Sequence, residues 1–86
     1  MSLKRRKTLL DNAATALRPV EITYAKPDGE IETRIIEIDE IRANKKTGAL
    51  YIRAYCRLRN DVRNFSLSGI LSHRTLRTVG YQALEV

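Results

Sequence analysis

Cysteine, histidine and tryptophan are nearly absent from this sequence, and their scarcity limits the chemistry that it supports. Its 86 residues include one cysteine (Cys56), one histidine (His73) and no tryptophan. One cysteine excludes an intrachain disulfide, and one cysteine with one histidine is too few for a zinc site built from protein ligands alone. A hydrolase centred on His73 and a nearby serine lacks a Gly-x-Ser-x-Gly motif and an evident acidic partner. We therefore expect no metal, no cofactor and no catalytic residue, and a location in the reducing cytoplasm.

Long apolar stretches are missing as well. The apolar runs are far shorter than the ~18 residues of a membrane helix, so no membrane partner is expected. A chain of 86 residues forms one domain. Such a domain buries only about 60 to 65% of its unfolded surface, which leaves little core for an elaborate active site.

Charge is abundant, and one sign predominates. The formal net charge of +6 and the pI near 9.9 favour an anionic partner such as nucleic acid, a nucleotide or an acidic protein surface. Acidic residues gather between positions 21 and 40, whereas residues 42–59 contain none. The cations of this second stretch are Arg42, Lys45, Lys46, Arg53, Arg57 and Arg59.

The N-terminal part of the chain predicts a basic arm followed by one helix. Residues 1–7 (MSLKRRK) show no apolar periodicity, and we interpret them as a flexible arm, part of it an added leader. Thr8 and Asp11 resemble a capping pair, and apolar residues then recur at helical spacing as far as Pro19. We predict a helix over about residues 8–18 and a single domain over residues 8–86.

After Pro19 the apolar pattern changes to the two-residue period of strands. It predicts strands at residues 20–24, 31–43, 49–57 and 62–67, with turns at AKPDGE, NKKTG and RNDV and a weaker fifth strand among residues 74–84. Short strands joined by hairpins behind one helix are typical of an all-β fold. We expect an antiparallel sheet that closes or nearly closes into a small barrel over about residues 20–80.

The third predicted strand carries the first candidate binding residues. Alternation places Tyr51, Arg53 and Tyr55 on the face opposite the core. Aromatic rings beside guanidinium groups stack on bases and pair with phosphates. The same residues also serve as cross-strand packing partners and solubilising charges on an exposed sheet, and the sequence leaves both interpretations open.

Arg34 and Arg63 are the second pair of candidates. Strand alternation puts Arg63 on the side of Phe65, and Arg34 on the side of Ile36 and the core. A guanidinium near an apolar face needs a partner, because burying it unpaired costs several kcal/mol. That partner is either an anionic ligand or an internal carboxylate such as Glu32 or Glu21.

Taken together, the strand motifs resemble the WYL domain of bacterial proteins. Leu50-Tyr51-Ile52 stands at the Trp-Tyr-Leu triplet that names the family, Ala54-Tyr55-Cys56 at its Ala-aromatic-Cys, and Arg63-x-Phe65-x-Leu67 with Ile70 at its Arg-x-Phe-x-Leu-x-x-Ile. Ile22, Tyr24, Arg34, Ile36 and Ile41 suit its first two strands, so the resemblance covers about residues 9–71. The sequence departs from the pattern at Leu50, Ile38 and Gly69, which replace the usual Trp, Pro and Arg.

The resemblance implies an Sm-like barrel of about five strands, partly open or closed, with one short N-terminal helix. It also implies a sensor that binds anionic ligands, either nucleotides or single-stranded nucleic acid. Its binding residues by position are Tyr51, Arg53, Tyr55, Arg63 and Phe65, with Arg34 in support. In such regulators a DNA-binding domain usually precedes the barrel, and the helical stretch here is too short to form one. We therefore expect a stand-alone module or a piece of a longer regulator.

Our functional hypothesis is a ligand-sensing regulatory domain and not an enzyme. The alternative is a module for protein–protein interaction or homodimer formation with no small-molecule ligand. Salt dependence separates the two, because phosphate binding weakens steeply as ionic strength rises.

Overall fold

The computed structural model describes residues 1–85 as one helix followed by five strands. The elements are α1 (Leu3–Thr15), β1 (Val20–Ala25), β2 (Ile31–Ala43), β3 (Leu50–Cys56), β4 (Asp61–Ser66) and β5 (Ile70–Thr75), with single 3₁₀ turns at Leu67–Gly69 and Gln82–Glu85. None of the helices in these residues has the length and apolar character that a membrane span requires.

The five strands form one antiparallel sheet in the order β4-β3-β2-β1-β5. β2 is long enough to pair with both β1 and β3, and its register with β3 shifts between Ile38 and Glu40. Such a bulge bends a strand and increases its twist. The 3₁₀ turn at Leu67–Gly69 carries the chain from the edge strand β4 to the other edge strand, β5. The prediction of a small all-β, barrel-like fold with one N-terminal helix is confirmed.

The core lies on the concave side of this sheet, where the alternating apolar residues of the strands meet the helix. Its members include Ile22, Ile36, Ile38, Ile52, Ala54, Cys56, Phe65 and Leu67, together with Leu10 and Ala13 from α1. Burying each large aliphatic or aromatic side chain contributes about 1.5 to 3 kcal/mol. The alternation that predicted the strands therefore also decides which of their residues hold the sheet and helix together.

The prediction that residues 1–7 form an arm is wrong for residues 3–7, which are the first turns of α1. Ser2 caps the helix, since its hydroxyl oxygen accepts a hydrogen bond from the Arg5 backbone N–H at 3.1 Å. Thr8 lies inside the helix and donates to the Lys4 carbonyl oxygen at 3.1 Å. Arg6 anchors this part to β5, because its guanidinium donates to the Ile70 carbonyl oxygen at 2.5 Å. The sequence analysis missed this part of the helix, because the apolar periodicity of a segment does not reveal a contact with a strand far away in the chain.

The fifth strand was also misplaced by the sequence analysis. It runs from Ile70 to Thr75 and pairs with β1, whereas we predicted it among residues 74–84. The turn before it is only three residues long, and Gly69 fits there because an added Cβ would lie 3.2 Å from the Ala25 carbonyl oxygen. Leu71 faces solvent, so β5 lacks the regular alternation that is seen in β1 and β3. The bounds of those four agree with the prediction to within one residue.

Candidate anion-binding site

Arg34 and Arg63 line the same small cavity, at the end of the sheet where the β1–β2 and β3–β4 connections lie. We call it the basic cavity, and its volume is about 70 Å³. Its lining residues are Tyr24, Lys26, Glu32, Arg34, Cys56, Arg59, Arg63 and Phe65. Four cationic side chains and one carboxylate give this cavity a formal charge of +3 at neutral pH.

Strand register explains how the two arginines converge. Arg34 lies opposite Ile22 in the β1–β2 ladder, and Arg63 lies opposite Ala54 in the β3–β4 ladder. Ile22 and Ala54 are both buried in the core, and directly opposed residues share a face of the sheet. Both guanidinium groups therefore project from the core side. Both arginines line the basic cavity at the end of the sheet where the β1–β2 and β3–β4 connections lie.

An aromatic pair also lines the basic cavity. The rings of Tyr24 and Phe65 pack edge to face, with centroids 5.1 Å apart and planes at 78°. Phe65 is buried opposite Ile52, while Tyr24 keeps its hydroxyl in the cavity, where it donates to Glu32 Oε2 at 3.1 Å. The apolar wall reduces solvent access to the charges beside it, and this strengthens their interactions with any bound ion.

Glu32 is the carboxylate that Arg34 contacts inside the protein. The Arg34 guanidinium donates to Glu32 Oε2 at 2.6 Å, and Lys26 Nζ lies 3.5 Å from Glu32 Oε1. Partial burial is the largest influence and raises the pKa of Glu32, but the Tyr24 hydroxyl, Arg34 and Lys26 together lower it below the ordinary value. The internal ion pair that the sequence left open therefore forms with Glu32. Glu21 instead lies 3.6 Å from Arg74.

Arg59 and Arg63 form the wall of the basic cavity on the side of the β3–β4 connection. In the part of the chain that the structure describes, neither guanidinium has a carboxylate oxygen within 4 Å. Both residues are exposed to solvent. The cavity thus has one wall whose cations are neutralised internally and one wall whose cations face solvent.

Tyr51, Arg53 and Tyr55 lie on the other face of β3 and do not join the basic cavity. Tyr51 borders an open cleft of about 790 Å³ beside the β2–β3 hairpin, together with Arg42 and Lys45. Arg53 and Tyr55 border a third cavity of about 300 Å³, where Arg53 Nε lies 3.4 Å from Asp39 Oδ2 and the Tyr55 hydroxyl donates to Asn60 Oδ1 at 3.0 Å. Of the six predicted residues, the structure therefore brings together Arg34, Arg63 and Phe65.

Five residues that line the basic cavity were not among the predicted binding residues: Tyr24, Lys26, Glu32, Cys56 and Arg59. Of these, Glu32 was named from the sequence only as one of two carboxylates that could pair with an arginine. Lys26 and Arg59 belong to turns, where no periodicity predicts which way a side chain points. Tyr24 and Glu32 were predictable in principle, because both lie on the core face of their strands near the ends. A tyrosine hydroxyl or a glutamate carboxylate near the core needs a hydrogen-bonding or ionic partner, and the same requirement identified Arg34 as a candidate.

A second carboxylate of β2, Glu37, is buried on the outer face of the sheet. Its side chain is 1% exposed and accepts hydrogen bonds from Arg57 Nε at 2.8 Å and from the backbone N–H groups of Gln82 at 2.8 Å and Ala83 at 3.0 Å. Burial acts most strongly and raises the pKa of Glu37, but these three donors outweigh it and lower the pKa below the ordinary value. Tyr81 adds a hydrogen bond to the Ile38 carbonyl oxygen at 2.9 Å. This cluster attaches the C-terminal segment to the sheet.

Comparison with known proteins gives a family and a structural neighbour. The family model of the WYL domain matches residues 7–75. The fold is similar to that of proteasome accessory factor B/C (PafBC) of Arthrobacter aurescens, with a TM-score of 0.84 at 18% sequence identity. That match covers 94% of this chain and 13% of the PafBC chain, so this chain spans a small part of its neighbour's length. No curated protein matches the sequence. Because the family model covers most of the chain, the protein belongs to the WYL domain family, which supplies regulatory domains to bacterial transcriptional regulators.

Proposed function

We propose that this domain is the sensor of a cytoplasmic bacterial transcriptional regulator and that the basic cavity binds one phosphate group of a nucleotide or of single-stranded nucleic acid. The observation that carries the proposal is the pair of cations on the wall formed by Arg59 and Arg63, which no carboxylate of the described residues neutralises. Guanidinium groups bind phosphate oxygens through charge-assisted hydrogen bonds, which are shorter and stronger than neutral ones.

The size of the basic cavity supports a single phosphate group as the part that enters it. A volume of about 70 Å³ is far below the roughly 300 to 1,000 Å³ of pockets that hold drug-sized ligands, so it suits one small group and not a whole nucleoside. The remainder of the ligand has room in an adjoining groove of about 380 Å³ that shares Tyr24 and Lys26 with the cavity. Asn64, Ser66 and Ser68 also line this groove, and their polar groups suit a sugar or a base edge.

The proposed binding gives a regulatory role if the bound ligand favours one arrangement of this domain relative to a further domain or to a second copy of the chain. A ligand shifts such an equilibrium only by its difference in affinity for the two states. In our proposal the basic cavity of this domain supplies that difference, and a further domain of a longer regulator or a second copy of the chain responds to it.

The test compares two arginines on opposite faces of the β3–β4 hairpin. We expect Arg63→Ala to weaken binding of a fluorescein-labelled short oligodeoxythymidylate roughly tenfold in fluorescence anisotropy, because one charge-assisted phosphate contact is lost. The slope of log affinity against log salt should decrease by about 0.7, the value for one phosphate on a single strand. Arg53→Ala is the matched control, since Arg53 faces Asp39 on the outer side, and it should leave affinity nearly unchanged.

The same titration decides between the two faces. If Arg53→Ala weakens binding and Arg63→Ala does not, the ligand lies on the outer face with Tyr51 and Tyr55, and the basic cavity is not the site. If the wild-type chain binds neither the oligonucleotide nor adenosine monophosphate at low salt, the proposed function is wrong.

A protein-binding role is the second candidate, and one observation favours it. The third cavity is bordered by Leu17 and Val62, which are 40% and 46% exposed, beside Tyr55 and Tyr81. Apolar side chains around a groove are typical of a contact surface for another protein. Association through this surface should persist as salt rises, whereas phosphate binding should weaken.

A further inference from the structure

We infer that Glu32 is an internal anion that competes with the ligand for the basic cavity and so limits the affinity of this domain for phosphate. The inference rests on the proposed function, because it concerns the same cavity. It adds a residue that sets affinity from within the protein, without itself binding the ligand.

The contacts of Glu32 are those that a bound phosphate would make. Its Oε2 atom accepts hydrogen bonds from the Arg34 guanidinium at 2.6 Å and from the Tyr24 hydroxyl at 3.1 Å, and its Oε1 atom lies 3.5 Å from Lys26 Nζ. These three donors line the cavity from the side of β1 and β2, while Arg59 and Arg63 line it from the side of β3 and β4. Among the residues that the structure describes, an arriving phosphate therefore finds two of the four cations, Arg59 and Arg63, without a carboxylate oxygen within 4 Å.

Arg34 does not depend on Glu32 for its position. Its guanidinium also donates to the Thr33 backbone carbonyl oxygen at 2.8 Å, and the side chain is only 14% exposed. Lys26 likewise has a second carboxylate, Glu30, at 3.7 Å. Removing the charge of Glu32 should therefore free Arg34 and Tyr24 for a ligand, while Lys26 keeps Glu30 as a partner. Tighter binding by such a variant would indicate competition, and weaker binding would indicate that Glu32 supports the site.

Electrostatics gives the direction of the effect. A carboxylate within a few ångströms of a bound phosphate repels it, and the repulsion is larger next to an apolar wall than in open water. Neutralising Glu32 raises the formal charge of the cavity from +3 to +4. Both changes favour the anion, so the variant without this charge should bind more tightly than the wild-type chain.

The experiment uses Glu32→Gln, which removes the charge and nearly keeps the shape of the side chain. We expect affinity for the labelled oligodeoxythymidylate to increase about three- to tenfold at low salt, the size of one charge–charge interaction at a partly exposed site. The gain should shrink as salt rises, because screening weakens the repulsion that the variant lacks. Inorganic phosphate, added as a competitor, should displace the probe at a lower concentration from Glu32→Gln than from the wild-type chain.

Glu21→Gln is the matched control for the change in overall charge. Glu21 lies on β1 outside the cavity, beside Arg74, and the variant alters the net charge by the same amount. It should change affinity by less than Glu32→Gln at every salt concentration. Glu32→Ala provides a second variant if the glutamine form does not fold, and its expected direction is the same.

The outcomes separate this inference from the proposed function. If the wild-type chain binds and Arg63→Ala weakens binding, but Glu32→Gln binds equally or less tightly, the competition by Glu32 is refuted and the site stands. If Glu21→Gln strengthens binding as much as Glu32→Gln does, net charge explains the gain and the inference also fails. If no form of the chain binds, both proposals are wrong.

Discussion

Glu32 and Glu37 lie on the same strand, and each contacts an arginine. A residue on the core face is expected to be buried and one on the outer face exposed, but these two glutamates show the reverse. Glu32 lies on the core face and keeps 22% of its side chain exposed, because it lies at the start of β2 and lines the basic cavity. Glu37 lies on the outer face and is almost completely buried, because residues 81–83 cover it. The face of a strand therefore does not determine burial when another segment covers the outer side.

The donors around the two carboxylates explain their different roles. Glu37 accepts from two backbone N–H groups and one guanidinium, and backbone donors are fixed by the fold. The donors to Glu32 belong to the side chains of Tyr24, Lys26 and Arg34, which can turn toward another anion. The contacts of Glu37 therefore stabilise the fold, whereas the side chains around Glu32 can release it and bind a ligand anion.

The largest expected effect comes from breaking the Glu37 cluster. Glu37→Gln places an amide N–H₂ group against N–H donors, so at least one buried donor loses its acceptor. We expect the free energy of unfolding to fall by about 2 to 4 kcal/mol, as when one partner of a buried charged hydrogen bond is removed. Urea unfolding followed by circular dichroism measures this change. A loss below about 0.5 kcal/mol, typical of a surface substitution, would show that the burial of Glu37 has little energetic importance.

A loss of stability of intermediate size is expected when the pH is lowered. The pKa of Glu37 is lowered in the folded state, so its contribution to stability is fully present above its unfolded pKa of about 4.3 and is lost as pH falls through the folded value. The wild-type chain should therefore lose stability below about pH 4.3 more steeply than Glu37→Gln. Parallel curves of unfolding free energy against pH for the two proteins would contradict this assignment.

The smallest expected effect is that of Glu32→Gln on stability. Its ion pair with Arg34 is partly exposed, and such pairs contribute about 0 to 1 kcal/mol. The unfolding free energy should change by less than that of Glu37→Gln in the same urea experiment. If both variants lose the same free energy of unfolding, Glu32 is as important for stability as Glu37, and the difference in role that we assign to them is wrong.

Much of the fold was predictable because β1 and β3 alternate regularly and turn residues separate the strands, and the face assigned to each strand placed Arg34 and Arg63 on the core side. The remainder depends on contacts between distant parts of the chain. Arg6 reaches β5, and Gln82 and Ala83 reach Glu37, across separations that local patterns do not encode. Strand alternation separated Tyr51, Arg53 and Tyr55 from the two core-side arginines. It could not show that Tyr51 borders one cavity and Arg53 and Tyr55 another, because that depends on which neighbouring segments border each side chain.

The thiol of Cys56 can be used to follow ligand binding in the basic cavity by chemical modification, without introducing a further cysteine. Cys56 is the one cysteine of the sequence, it is 1% exposed, and its side chain belongs to the lining of the cavity. A thiol reagent reaches such a group only when the protein opens locally, so the rate of modification reports how often this wall separates. A ligand held between the surrounding cations closes that route, and slowed modification of one native sulfur atom becomes a measure of occupancy.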